Sequence, residues 1–126
     1  MVARVLVVED NPLNLKLIKD VLEYQGFEVL TAAYGEEGVV AALSDSPDLV
    51  LMDLQLPGID GHEALLRIRA EPRCSGIPVV AVTAFAMKVY AERAAAAGFD
   101  GYIAKPIDIR GLPGKVAGFL SGRFDG

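Results

Sequence analysis

Short apolar runs recur along the chain and alternate with longer stretches that mix apolar and polar positions. Apolar, β-branched runs of this length predict strands, and continuous runs predict strands covered on both faces, as in a parallel sheet. The predicted strands are Arg4–Val8, Phe27–Ala32, Leu49–Met52, Val79–Val82 and Tyr102–Ala104. The second run alternates apolar and polar residues, which favours an edge position in the sheet.

The stretches between the runs carry helix signals. Asn11 is a good N-cap, Pro12 fits the first helical position, and apolar residues then repeat at helical spacing until Gly26. Three more helices are predicted: one over Glu36–Leu43, one from Asp60 in the capping-box sequence DGHE, and one over MKVYAERAAAAG, ending at Gly98. A fifth helix follows Pro106, but Gly111, Gly114 and Gly118 oppose a regular helix, and Pro113 is tolerated only if the helix begins near it.

Regular alternation of strands and helices predicts an α/β fold, a doubly wound five-stranded parallel sheet with five helices. The flavodoxin-like strand order 2-1-3-4-5 makes strands one and three neighbours. The chain shows no internal repeat and no linker. We therefore expect one domain over residues 1–121 and a short C-terminal tail over residues 122–126.

Composition narrows the class of protein. The 126 residues are 52% hydrophobic, enough for a sizeable core, and the net charge of −5 argues against direct nucleic-acid binding. No apolar run approaches the ~18 residues that a membrane span needs, and acids follow the first apolar run where a signal peptide would be cleaved. Cys74 is the only cysteine, which excludes an intrachain disulfide. A cytoplasmic protein is expected.

Polar side chains collect where the predicted strands end. Strand one ends at Glu9 and Asp10, strand three at Asp53, strand four at Thr83 and strand five at Lys105. The carboxyl ends of parallel strands form the ligand edge of such a sheet. Three neighbouring carboxylates repel one another unless a cation intervenes, and oxygen ligands suit Mg²⁺. With a hydroxyl and an ammonium opposite, the set predicts a site that holds a phosphoryl group, with Asp53 as nucleophile.

Taken together, these motifs make the sequence similar to the receiver domain of bacterial two-component response regulators over nearly its whole length. The match rests on Glu9-Asp10, on Asp53 in LMDLQLPGIDG, on Thr83-Ala84 and on Lys105-Pro106 in YIAKP. Within that family it most resembles single-domain regulators of the DivK type and the receivers of hybrid kinases. The resemblance implies a CheY-like fold and a signalling role, not an enzyme's.

The resemblance also implies roles for individual residues. Asp53 accepts a phosphoryl group from a phosphohistidine of a histidine kinase or histidine phosphotransfer protein. Asp10, Asp53 and the backbone carbonyl of Gln55 bind Mg²⁺, and Glu9 acts on the ion through water.

The resemblance further implies roles for three more side chains and one peptide bond. Thr83 and Lys105 bind the phosphoryl oxygens, Tyr102 is the switch aromatic, and the peptide bond before Pro106 is cis. A downstream protein then binds the face formed by helix four, strand five and helix five. Phe85 is expected to hinder the water that hydrolyses the acyl phosphate.

Two other functions fit the same fold. A phosphohydrolase with an aspartyl nucleophile typically has a second acid two residues later, and Gln55 stands there. A flavin-binding module needs a phosphate-cradling loop rich in Ser, Thr or Gly after strand one, but EDNPLN is acidic. Both alternatives are therefore disfavoured.

Several residues have plain structural explanations. We expect Asp60 to be a helix cap, His62 to be exposed and not a phosphate carrier, and Cys74 to be a small packing residue near a helix end. Val89 and Tyr90 are apolar where similar sequences have small or acidic residues, and the pattern leaves open whether they form a partner face or pack inward. The end SGRFDG leaves no room for an output domain, so we expect a stand-alone receiver or part of a longer protein.

Overall fold

The computed structural model describes residues 2–56, 58–84 and 88–121, without the side chains of residues 88–91. Its strands are β1 Arg4–Val8, β2 Glu28–Ala32, β3 Leu49–Asp53, β4 Val79–Thr83 and β5 Gly101–Ala104. Its α-helices are α1 Pro12–Tyr24, α2 Gly35–Asp45, α3 Gly61–Ala70, α4 Lys88–Ala97 and α5 Leu112–Leu120, and a single 3₁₀ turn spans Pro72–Cys74. The predicted succession of strands and helices is confirmed.

All five strands are parallel and lie in the order β2-β1-β3-β4-β5. The predicted topology, with β2 at the edge and β1 beside β3, is therefore confirmed. Four strand bounds differ from the sequence prediction by one residue. β3 includes Asp53 and β4 includes Thr83, while β2 begins at Glu28 and β5 begins at Gly101. Asp53 pairs with Val82, and Thr83 pairs with Ala104, so the sheet ladder extends one residue further than the apolar runs.

The core has two layers, one on each face of the sheet. Successive residues of a strand point to opposite faces, so Leu6 belongs to one layer and Val7 to the other. On the first face the strands pack against residues such as Leu65 of α3, and on the second against Leu22 of α1 and Val116 of α5. Cover on both faces explains why β1, β3 and β4 are almost continuously apolar.

The first turns of α1 and α5 have the residues that favour a helix N-terminus. The Asn11 Oδ1 atom accepts hydrogen bonds from the N–H groups of Leu13 at 3.0 Å and Asn14 at 3.1 Å, so the predicted N-cap of α1 is confirmed. α5 begins at Leu112, one residue before Pro113, so the proline is tolerated because the first turn of a helix needs no internal N–H donor. Gly114 and Gly118 nevertheless lie inside the helix.

Asp60 caps α3, as predicted: its Oδ1 atom accepts from the Glu63 N–H at 2.9 Å. The Glu63 carboxylate lies 3.6 Å from the Arg67 Nε atom one turn along the helix.

Cys74 is buried, with its sulfur 3.5 Å from the Ala42 carbonyl oxygen, which confirms a packing role.

Some predictions fall on parts of the chain that are not described. Phe85, Met87 and the tail over residues 122–126 lie outside the described residues, as do the side chains of Val89 and Tyr90. Within the described ranges, no helix has the length and apolar character that crossing a membrane requires.

Candidate functional site

Three carboxylates meet at the carboxyl edge of the central strands. One oxygen from each of Glu9, Asp10 and Asp53 lies within 4.8 Å of the other two. Glu9 is 3% exposed and Asp53 is 1% exposed, whereas Asp10 is exposed to solvent. The cluster therefore has two buried members and one member at the opening, as a site filled from solvent requires.

Lys105 supplies positive charge to this cluster from the end of β5. Its Nζ atom donates to Asp53 Oδ2 at 2.6 Å and lies 3.4 Å from Glu9 Oε1. The predicted cis peptide bond between Lys105 and Pro106 is present. The Lys105 N–H also donates to the Thr83 carbonyl oxygen at 2.8 Å, which ties the end of β5 to the end of β4.

Each buried carboxylate is also held by the main chain two residues later. Asp53 Oδ1 accepts from the Gln55 N–H at 2.8 Å, and Glu9 Oε2 accepts from the Asn11 N–H at 3.1 Å. Such charge-assisted bonds fix both carboxylate orientations. The Asn11 contact was not predicted, because side-chain patterns say nothing about which backbone N–H a carboxylate reaches.

The pKa values of two groups show how the charges balance. Burial raises the pKa of Glu9, the Asn11 N–H lowers it, and the Asp53 carboxylate raises it further, which leaves it above its ordinary value of 4.5. Burial lowers the pKa of Lys105, but the hydrogen bond to Asp53 and the charges of Asp53 and Glu9 outweigh burial and leave it raised. Lys105 is therefore protonated at neutral pH, and one ammonium faces three acids.

Thr83 and Tyr102 lie where the sequence places them. Thr83 is the last residue of β4 and is 4% exposed, next to the cluster. Tyr102 lies in β5, paired with Ala81, and is 39% exposed. His62 is exposed, as predicted, and its ring packs edge-on against Phe99 with the centroids 5.5 Å apart.

The donor set fits a hard divalent cation. Carboxylate oxygens from Glu9, Asp10 and Asp53 converge, and the exposed Asp10 leaves room for water ligands. Mg²⁺ prefers this combination of a few carboxylates, waters and phosphate oxygens. The adjacent Lys105 leaves the cluster with an excess of negative charge that such an ion would neutralise.

Beside Lys105 an open groove of about 440 Å³ separates α1 from the segment after β5. Leu17 and Ile18 line it from α1, and Ala84, Ile107 and Ile109 line it opposite. The lining is mainly apolar, so the groove offers a binding surface next to the charged cluster.

Comparison with known proteins gives one consistent result. The family model described as response regulator receiver domain matches residues 5–117. The chain is 43% identical over 109 residues to the polar-differentiation response regulator DivK of Brucella ovis, which covers 86% of this chain and 89% of that protein.

Solved structures similar to this chain are also receiver domains and response regulators. The receiver domain of the sensor histidine kinase PA1611 from Pseudomonas aeruginosa, described with a magnesium ion coordinated in its active-site cleft, is 34% identical with a TM-score of 0.85 and covers 97% of this chain and 99% of that one. The chemotaxis response regulator CheY4 of Vibrio cholerae is 25% identical with a TM-score of 0.88 over 93% of this chain and 98% of that one.

Proposed function

This chain belongs to the response regulator receiver domain family, whose members are phosphoacceptors in signalling, and from that premise we propose that Asp53 is its phosphoacceptor. One observation carries the assignment. The Asp53 carboxylate is 1% exposed at the end of the central strand β3, with Lys105 Nζ at 2.6 Å and two further acids close by. A nucleophile so held has a defined direction of attack.

The reaction we propose is transfer from a partner's phosphohistidine. An Asp53 oxygen forms a bond to phosphorus while the phosphorus–nitrogen bond to the imidazole breaks, and the imidazole nitrogen keeps that electron pair. The Lys105 ammonium and the Thr83 hydroxyl then bind phosphoryl oxygens. Asp10, Asp53 and the Gln55 carbonyl would hold Mg²⁺, with Glu9 acting through water, and the bound ion would neutralise charge on the phosphoryl oxygens.

Signalling, not turnover, is the outcome that the site supports. Gln55 occupies the position where an aspartyl phosphohydrolase would have its second acid, so a general acid is missing at that point. Any phosphorylation from small donors and any later hydrolysis are then reactions of the chain on its own carboxylate. A steady-state assay with a small phosphomonoester should show no sustained release of phosphate.

We propose two kinds of protein partner, a phosphoryl donor and a downstream target. A histidine kinase or histidine phosphotransfer protein can approach Asp53 along the apolar groove beside Lys105. We propose a cytoplasmic location, where such donors present their phosphohistidine. The downstream protein partner is proposed to bind the face of α4, β5 and α5, where Tyr102 is 39% exposed. Neither nucleic acid nor a membrane is a proposed partner.

Phosphotransfer profiling tests this function directly. Autophosphorylated histidine kinases and phosphotransfer proteins from the source organism are mixed with the chain, and label transfer is followed over seconds to minutes. Rapid transfer from one or a few donors is expected. Absence of transfer from every donor, together with no adduct from acetyl phosphate and Mg²⁺, would contradict the proposal.

Mg²⁺ binding is expected to depend on Asp10. Asp10→Ala removes the solvent-facing carboxylate of the cluster, so the dissociation constant for Mg²⁺ should rise at least about tenfold. Calorimetry and amide chemical shifts measure binding without any phosphorylation. Glu23→Ala, at an exposed acid near the far end of α1, is the control and should bind as wild type does. Equal affinity in Asp10→Ala would show that the ion binds elsewhere.

Thr83→Ala should separate phosphorylation from output. Asp53 stays intact, so the phosphoryl mimic beryllofluoride should still bind, but the hydroxyl that would move toward it is lost. In wild type, beryllofluoride should shift the NMR resonances of Tyr102 as its ring turns inward, and in Thr83→Ala that shift should be mostly lost. Tyr24, exposed on α1, is the internal reference. Equal Tyr102 shifts in both proteins would exclude coupling through Thr83.

A further inference from the structure

The first residue of α3 lies unusually close to the main chain of Asp53. Gly61 is buried, and a Cβ atom added to it would lie 2.8 Å from the Asp53 carbonyl oxygen and 3.0 Å from the Leu54 Cα atom. Cβ atoms in real proteins almost never approach other atoms so closely. Only glycine therefore lets the start of α3 rest against the residue proposed as phosphoacceptor.

The close atoms cannot easily move away. The Asp53 main chain is paired with Val82 in the sheet, and the Leu54 N–H donates to the Val82 carbonyl oxygen at 3.0 Å. On the other side, the start of α3 is fixed by the Asp60 cap. The end of β3 is thus clamped between β4 and the first turn of α3, and Gly61 is the point of contact.

We infer that Gly61 is a positioning residue for Asp53, an inference that rests on the proposed function. A methyl group at residue 61 must push either the end of β3 or the start of α3 outward. Either shift changes the two contacts that orient the carboxylate, from Lys105 Nζ at 2.6 Å and from the Gln55 N–H at 2.8 Å. Gly61 is not one of the groups that hold the carboxylate, and its effect is transmitted through the main chain of Asp53 and Leu54.

Gly61→Ala is expected to slow phosphorylation about tenfold to a hundredfold, because misplacement of a reacting group by about 1 Å costs up to that factor. The initial rate of adduct formation is measured by intact mass at saturating Mg²⁺ and acetyl phosphate, below the unfolding temperature of every variant. Gly101→Ala is the matched control. Its new Cβ would clash with the Phe119 ring, away from the carboxylate cluster, so it should unfold at a lower temperature yet keep the wild-type rate.

A second variant separates main-chain from side-chain strain. The Leu54 Cδ2 atom also lies 2.9 Å from the added Cβ position. Leu54→Ala combined with Gly61→Ala removes that side-chain contact and leaves both main-chain contacts, so the rate should stay low. Recovery of the wild-type rate in the double variant would overturn the inference, as would a wild-type rate in Gly61→Ala alone. If wild type itself forms no adduct on Asp53, the proposed function fails as well.

Should Gly61→Ala not fold, the cap tests the same contact. Asp60→Ala frees the start of α3 and should slow phosphorylation several-fold, whereas Asp60→Asn removes the same charge but keeps an N-cap acceptor and should restore the rate. Equal rates in the two Asp60 variants would overturn the inference.

Discussion

Asp53→Asn is expected to form no phosphoryl adduct when incubated with acetyl phosphate and Mg²⁺. Asparagine keeps the size of the side chain and an oxygen that can accept from the Gln55 N–H at the end of β3. The amide is a far weaker nucleophile than a carboxylate, and it carries no charge to balance Lys105. Intact-mass spectrometry of both proteins after identical incubation measures the loss, which should be complete within detection.

Two control experiments support this interpretation of the Asp53→Asn result. Asp20→Asn, at an exposed aspartate of α1 whose carboxylate pairs with Lys16, should form the adduct as wild type does. Circular dichroism should show that Asp53→Asn is folded. An adduct of equal yield on Asp53→Asn would contradict the assignment, and peptide mapping would then show whether Asp10 or Glu9 accepts the group.

The sheet was predictable because its three central strands, β1, β3 and β4, are buried on both faces. Continuous apolar runs cannot be solvated strands, and strict alternation with helix signals allows few topologies. Once the order places β1 beside β3, Glu9, Asp10 and Asp53 must meet at one edge. The cluster therefore follows from topology, without any distance being known.

Other features depend on three-dimensional detail that a residue pattern does not contain. Glu9 and Asp10 are adjacent acids, yet one is buried and the other exposed, because successive residues at a strand end point in different directions. Pairing with β4 extends β3 to Asp53, although the apolar run in the sequence stops at Met52. The contact of Gly61 with the Asp53 main chain is invisible in sequence, where the glycine reads only as part of a capping box.

Lys105→Met is expected to lower the free energy of unfolding by about 2–3 kcal/mol at neutral pH. Removing one partner of a fully buried ion pair costs about 3–5 kcal/mol, and the partial solvent access of Lys105 reduces that figure. Two nearly buried carboxylates, Glu9 and Asp53, lose the only ammonium within contact among the described residues. Urea unfolding of wild type and variant at equal ionic strength measures the difference.

The loss of unfolding free energy caused by Lys105→Met should depend on pH in a defined direction. The pKa of Glu9 is already raised in the folded protein, so the folded state binds its proton more tightly than the unfolded state, and the contribution of Glu9 to stability falls as pH rises above 4.5. Without the Lys105 charge the pKa of Glu9 rises further. The difference between variant and wild type should therefore be largest at neutral pH and shrink as the pH is lowered toward 4.5.

A surface lysine with the same ion-pair distance shows whether burial is the cause. Lys16 Nζ lies 2.6 Å from Asp20 Oδ2, the distance found between Lys105 and Asp53, but both Lys16 and Asp20 are exposed. Lys16→Met should leave stability nearly unchanged, because solvent screens such a pair. Mg²⁺ should restore part of the stability of Lys105→Met and none of any small loss in Lys16→Met. If the two variants lose equal stability and neither responds to Mg²⁺, the acidic cluster does not depend on Lys105 for its charge balance.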